Sequence, residues 1–294
     1  MCGNRRYWKL WAKESLRGKW GMAILGMMAA PFMNTIGIMA ANKLFPGTGF
    51  LAWILGEAFL LIISLLSMIV STGYNYMLLN MARGRSYGPG DLICMFKKGS
   101  DGVLTAGLVM ALIDTLVMVP FYYLINMTEP SGGTAEALAA WMQPVMIAML
   151  AGTAVGVLVK LPFSMAFYLL ADDPQKKGIQ ALKESVSLMK GHMIQFFVLQ
   201  LSFVPLMILS LITFYIGLLW IMPYMYASLT AFYMDVTGEM AERNRKHTQE
   251  MTHWTAETLD GVQDNEERFP GIDTLENRET LAERRTEDDY DSEA

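Results

Sequence analysis

Residues Ile194–Met234 run for 41 positions without one charged side chain. No other feature limits the fold as much. A helix rises 1.5 Å per residue, so about 20 apolar residues cross a ~30 Å hydrocarbon layer. The run is too long for one crossing and suits two, with a turn expected near Phe214–Gly217. In hydrocarbon every backbone polar group needs an internal partner, which selects helices over open strands. Four further stretches meet the same test. Trp20–Ala41 has no charge, Phe50–Leu79 has Glu57, Gly102–Met127 has Asp114, and Gln143–Ala171 has Lys160. The expected fold is an all-α membrane protein, with a six-helix transmembrane bundle over residues 1–237.

Composition agrees with a bilayer protein. The chain is 53% hydrophobic and 17% charged, against about 25% charged in soluble domains. The net charge of −5 divides unevenly: residues 1–237 carry 16 Lys/Arg and 11 Asp/Glu, and residues 238–294 carry 7 and 17. The acidic segment 238–294 has scattered apolar residues and ends in Thr286–Ala294, a run of mostly acidic residues. It cannot bury enough surface to offset ordering entropy, so an acidic, largely disordered cytoplasmic tail is expected. Such a tail is either a solubilising extension or a docking segment for a basic protein partner.

Orientation follows from the cations, which stay on the inner side. Arg5, Arg6, Lys9, Lys13, Arg17 and Lys19 precede the first span. Arg83, Arg85, Lys97 and Lys98 fill the second connection, and Lys176, Lys177, Lys183 and Lys190 the fourth. The first connection has Lys43, and the third and fifth have no cation. This predicts a multi-pass protein of the cell membrane with both termini cytoplasmic and Thr128–Ala140 facing outward. The basic start and the apolar stretch after it read as a retained first span, not a signal peptide. Cys2 and Cys94 are too few for a disulfide framework. Topology accounts for the basic residues, so no nucleic acid is expected as a partner.

A basic segment with apolar residues ends at a glycine and enters a span at Trp8–Gly18, Leu92–Gly99 and Ala181–Gly191. The first and third share Lys-Glu-Ser. In the third, Ile179, Leu182, Val186 and Met189 recur at helical spacing. In the first, Trp8, Trp11 and Ala12 cluster, although Leu10 breaks the pattern. These read as basic interfacial helices before spans 1, 3 and 5, turned toward anionic lipid headgroups. They suggest a three-fold pseudo-repeat of parallel units about the membrane normal.

Glu57, Asp114 and Lys160 form the candidate intramembrane polar site, since an ionisable residue in a span signals function by default. Counting along each helix puts all three roughly 18–20 Å from the inner side. Three readings stand: an Asp114–Lys160 pair that sets helix register, a proton or substrate site, or a bend near Pro162 that brings Lys160 to the interface. Gly152 and Gly156 have small-xxx-small spacing for helix packing, within the chain or at a homo-oligomer seam. No GxSxG, HExxH, Walker A or GxGxxG pattern is present. The histidines His192, His247 and His253 are scattered, so no enzyme, cofactor or metal site is expected.

Phe167–Pro174, Ala181–Ser185, Leu188–His192, Gly217–Tyr224 and Ala231–Tyr233, with Ala12–Gly21, resemble a bacterial family of integral membrane proteins, domain-of-unknown-function family nine-seventy-five. The resemblance covers Lys9 to Val236. It implies a six-helix membrane protein of Gram-positive-type bacteria with no assigned activity or catalytic residues. The acidic tail and the Thr128–Ala140 connection depart from the shorter family pattern. The function expected is that of a membrane-embedded binding, regulatory or assembly protein. The alternative is a small transporter or channel built on the Glu57/Asp114/Lys160 layer.

Overall fold

The computed structural model describes residues 5–47, 49–127, 134–246 and 248–249. It divides into two units, Met1–Gly238 and Glu239–Ala294. In the second unit, residues 239–246 are helical. The expected disorder of the tail beyond residue 249 lies outside the described residues. So do Thr128–Gly133 of the outward connection, Cys2, His247 and His253.

Among the described residues of the first unit, all regular secondary structure is helical. Its order is α1 (Arg5–Ser15), α2 (Trp20–Leu44), α3 (Phe50–Arg83), α4 (Gly90–Lys98), α5 (Ser100–Met127) and α6 (Ala135–Lys160), then α7 (Ala166–Asp172), α8 (Gly178–Met189), α9 (Met193–Leu201), α10 (Val204–Ile212) and α11 (Leu218–Val236). Five stretches are long and apolar enough to cross a membrane: Trp20–Leu44, Phe50–Arg83, Ser100–Phe121, Glu136–Asp172 and Met193–Ile212. Leu218–Val236, expected as a sixth crossing, is not among them. Its 19 residues include Tyr224, Tyr226, Tyr233, Ser228, Thr230 and Asp235, which lower its hydropathy. Most of its second half, from Ala227 to Met234, is buried against other helices.

Prolines explain the breaks within the long stretches. A proline removes a backbone donor and its ring clashes with the preceding turn. Pro162 sits in a 3-10 turn, Leu161–Phe163, that separates α6 from α7. Pro205 stands in the first turn of α10, where the chain restarts after Ser202 and Phe203. The turn before α11 falls at residues 213–217, with Phe214 and Tyr215 both at positive φ.

The three basic segments are helices α1, α4 and α8, and each packs one face inward. On α1, Trp8 and Ala12 are buried, and Leu10 points outward at 67% exposure. On α8, Ala181, Leu182, Ser185 and Met189 face inward, but Ile179 is exposed. Leu182 and Met189 of the expected stripe are buried, while Gly178 and Ser185 take the inward places beside Ile179 and Val186.

Packing concentrates where these short helices meet the ends of the long ones. Leu16 on the α1–α2 connection joins a core of Ala12, Ala23, Tyr74, Met77, Leu78, Met81 and Ala227. The ring of Trp8 meets that of Phe232 edge-on, 4.9 Å between centroids. Away from this end, α2 and α3 display Ile36, Ile38, Met39, Phe50, Leu51 and Trp53 on their surfaces.

Candidate functional site

Two places collect charge: the expected intramembrane layer and the rim where α1, α4 and α8 lie. In the layer, Lys160 Nζ stands 2.8 Å from Asp114 Oδ1, with both side chains about two-fifths exposed. This joins α5 to α6. Lys160 is the last residue of α6, and the 3-10 turn containing Pro162 begins directly after it. Glu57 is exposed on α3 and takes no part in the pair. Gly152 is covered by the Phe121 ring of α5, where an added Cβ would lie 2.8 Å from a ring carbon. Gly156 faces Val117 and Met118 of the same helix. Both glycines therefore serve the α5–α6 seam inside the chain.

The rim is denser in polar contacts. Asp172 at the end of α7 receives the Arg83 guanidinium of α3 at 2.6 Å and the Tyr233 hydroxyl of α11 at 3.1 Å. One carboxylate thus ties together three long segments. Trp8 Nε1 of α1 donates to Asp235 Oδ2 of α11 at 2.9 Å. Lys9 donates to the Ser202 carbonyl at 3.2 Å and lies over the Phe203 ring at 4.3 Å. Burial, with help from the Arg5 charge, pushes the Lys9 ammonium below its usual range. Lys19 donates to the Met81 carbonyl at the end of α3 at 3.0 Å, a cation placed where the helix dipole is negative. His192 bonds the Leu188 carbonyl of α8 through Nδ1 at 3.2 Å.

Sequence reasoning passed over Ser185. Its hydroxyl is fully buried on the inward face of α8. It accepts from the Met165 N–H at 3.1 Å and donates to the Pro162 carbonyl at 2.8 Å. Those are backbone groups of the α6–α7 break, and an unpaired buried N–H is costly. The available signal was a polar residue on an otherwise apolar helix face, opposite a proline-broken span.

At the other end of α7, the end of α4 and the α7–α8 connection close around a basic cradle of about 460 Å³. Lys97, Lys98, Lys176 and Lys177 line it, with Asp101 as the opposing charge. Lys176 also pairs with Glu184 at 2.9 Å, and Lys98 reaches the Tyr76 hydroxyl at 3.5 Å. The first turns of α5 and α8 both open into the cradle, and helix starts carry partial positive charge. The two starts come together because Gly99, Gly102 and Gly178 lack Cβ atoms. An added Cβ at Gly99 would strike the Pro174 carbonyl oxygen, and one at Gly178 the Gly102 oxygen. A Cβ on Gly102 would lie 2.5 Å from the Lys176 oxygen. Gln175 Nε2 closes one side by donating to the Lys98 carbonyl at 3.0 Å.

Among the described residues, the rim brings together lysines, carboxylates and two helix starts. At the cradle the lysines outnumber the carboxylates, which leaves it positively charged. No curated protein and no solved structure matches the chain. A family model does match, over residues 1–240, which hold every helix from α1 to α11 and both groups of charges. The chain therefore belongs to the family described as "Protein of unknown function (DUF975)".

Proposed function

We propose that this protein crosses the cell membrane six times, keeps both termini in the cytoplasm, and acts as a membrane-embedded binding, regulatory or assembly protein. The observation that carries this reading is the basic cradle. Four lysines against the lining Asp101 and against Glu184, which pairs with Lys176, leave an excess of positive charge, at the level where short amphipathic helices meet span ends. A lysine near an anionic leaflet contributes about 1 kcal/mol, and two helix starts add to the attraction. Its fitting ligand is a phosphate-bearing lipid headgroup. The sixth crossing is α11, whose 19 residues reach about 28 Å at 1.5 Å each.

Packing also supports a three-unit architecture, each unit being a basic helix, an outgoing span and a returning one. α4 rests on α3, α8 on α7, and α1 on α11. Each basic helix thus lies on the returning segment of the preceding unit, and the third unit meets the first. Pairwise superposition of the units in experimental coordinates tests this, and unrelated paths would end it. A transporter or channel has less support. Asp114 and Lys160 satisfy one another, and Glu57 does not join them.

The cradle is tested on the full chain in mild detergent. Native mass spectrometry would compare uptake of dioctanoyl phosphatidylglycerol and dioctanoyl phosphatidylcholine. The anionic lipid should bind better, and Lys97→Gln, Lys98→Gln, Lys176→Gln and Lys177→Gln together should cost at least about tenfold, or roughly 1.4 kcal/mol. Equal uptake of both lipids by the unaltered protein would remove the basis of the proposal. Affinity purification with and without residues 238–294 then asks whether the acidic tail recruits a basic protein.

A further inference from the structure

The helix pair α5–α6 presents charge to its surroundings at a depth where charge is costly. Asp114 lies near the midpoint of the 28-residue α5, about 20 Å from either end at 1.5 Å per residue. Lys160, 2.8 Å away, is held at the same depth. Both belong to stretches long and apolar enough to cross a membrane. Yet their side chains are 45% and 39% exposed, respectively. Ionisable groups inside a bilayer almost always face protein or a water-filled cavity. Neither residue lines the basic cradle, so what covers this pair is a separate matter from lipid binding there.

Within the chain the two charges neutralise one another and leave hydrogen-bonding capacity spare. Among the described residues, the contact at 2.8 Å is the one polar contact of either side chain. A carboxylate accepts at about four sites, and an ammonium donates at three. Lipid tails supply none of the remainder. The flank beside the pair is open as well. α6 meets α5 through Gly152 and Gly156, whereas Met149, Thr153 and Val157 are all exposed. Helical spacing puts these three on the Lys160 flank of α6, over about 17 Å of its length. The Thr153 hydroxyl donates back to the Met149 carbonyl at 2.8 Å. A small residue with a satisfied hydroxyl thus lies two turns from the charges, where another helix has room to approach.

The cover must bring an acid and a base together, since a partner with one charge would leave a net charge in hydrocarbon. A second copy of this chain brings both by construction. A two-fold axis along the membrane normal keeps the two copies in the same orientation and repeats the pair at the same depth. Across such an axis the contacts are reciprocal, so Asp114 of each copy faces Lys160 of the other. Two acids and two bases then alternate in a closed, neutral ring, and each carboxylate gains a second ammonium. We propose that the Asp114–Lys160 flank of α5 and α6 is the seam of a two-fold dimer, in which each copy completes the other's ion pair.

Full-length chains with two different tags, co-expressed and extracted in mild detergent, test this by native mass spectrometry. Unaltered chains should give dimers that hold both tags. Asp114→Asn leaves only the base and Lys160→Gln only the acid, so each variant alone brings like charges to the axis and should be mostly monomeric. Co-expressed, the two variants should pair with one another at least about tenfold more than with themselves, because Lys160 of the first then faces Asp114 of the second. A pair that only sets helix register within one chain gives no such preference, and equal pairing overturns the proposal. A second measurement leaves both charges in place and does not depend on the folding of those variants. In a Cys2→Ser, Cys94→Ser background, mild oxidation of native membranes should join copies through Thr153→Cys and not through Phe32→Cys, which is exposed on α2. If Thr153→Cys stays uncrosslinked in membranes, the pair faces lipid or water and the proposal is wrong.

Discussion

Replacing Ser185 with alanine should destabilise this protein more than its conservative chemistry suggests. The hydroxyl is wholly buried and holds two backbone groups of the break between α6 and α7. Alanine keeps the volume of the helix face but leaves the Met165 N–H unpaired in a buried site. An unsatisfied buried donor costs about 1–3 kcal/mol, and the lost bond to the Pro162 carbonyl about 1 kcal/mol more. Alanine returns roughly 0.5 kcal/mol as the better helix former. The net is a loss of about 1.5–3.5 kcal/mol. At about 2–4 °C per kcal/mol for a chain of this size, the transition should fall by roughly 3–14 °C. Thermal unfolding in detergent, followed by helical circular dichroism, measures it. Ser187→Ala on the exposed side of α8 is the matched control, expected within about 0.5 kcal/mol of the parent. If Ser185→Ala matched that control, the accounting of the break would be refuted.

Two further perturbations probe the rim. A double-mutant cycle with Arg83→Met and Asp172→Leu should give a coupling of about 1–2 kcal/mol. That lies between exposed pairs and buried ones, because the two side chains are 12% and 34% exposed. A coupling indistinguishable from zero would mean the α3–α7 tie is ornamental. In a Cys2→Ser background, Cys94 should alkylate more slowly than free cysteine near neutral pH. Burial raises the thiol, Asp91 adds to the rise, and Lys98 opposes it. Less thiolate is then present at any given pH. The rate should still be climbing above about pH 9, past the ordinary thiol value near 8.5, and a plateau below that value would contradict the burial argument.

What could be read in advance tracks the range of the interaction. Apolar run length reports on crossings directly, so the five stretches appear close to where residue counting put them. Local breakers are equally readable. Pro162 interrupts its helix, and the turn before α11 falls at the expected residues. Basic segments that end at a glycine before a span located α1, α4 and α8, and helical spacing was read in the third. The spacing failed at Ile179 because Ser185, a polar residue, occupies the inward face for the sake of another segment's backbone. Pairs distant in sequence were not readable. Arg83 and Asp172 are 89 positions apart, and Asp172 and Tyr233 are 61 apart. A single sequence carries no signal that these would meet. Gly102 and Gly178 look like ordinary helix-start residues until the two starts are seen to touch.

The uneven distribution of packing has a physical origin that bears on function. Between helices in hydrocarbon the hydrophobic effect is absent, since lipid tails are as apolar as leucine. Association there relies on small residues, close packing and hydrogen bonds, as at Gly152 against Phe121 and Ser67 against the Ala30 carbonyl. At the interface water returns and burial becomes favourable again. Amphipathic helices can then drive a core that the spans alone cannot. Trp8, Leu16, Met77 and Phe232 are buried there, beside the ties made by Asp172 and Asp235. Many of the unit's fully buried large side chains gather at this end, and α2 and α3 are left with broad apolar surfaces elsewhere. Positive charge gathered at that end, beside spans with broad apolar surfaces, is the arrangement that the proposed recognition of anionic headgroups calls for, whereas a conduit would need polar groups ordered along the spans.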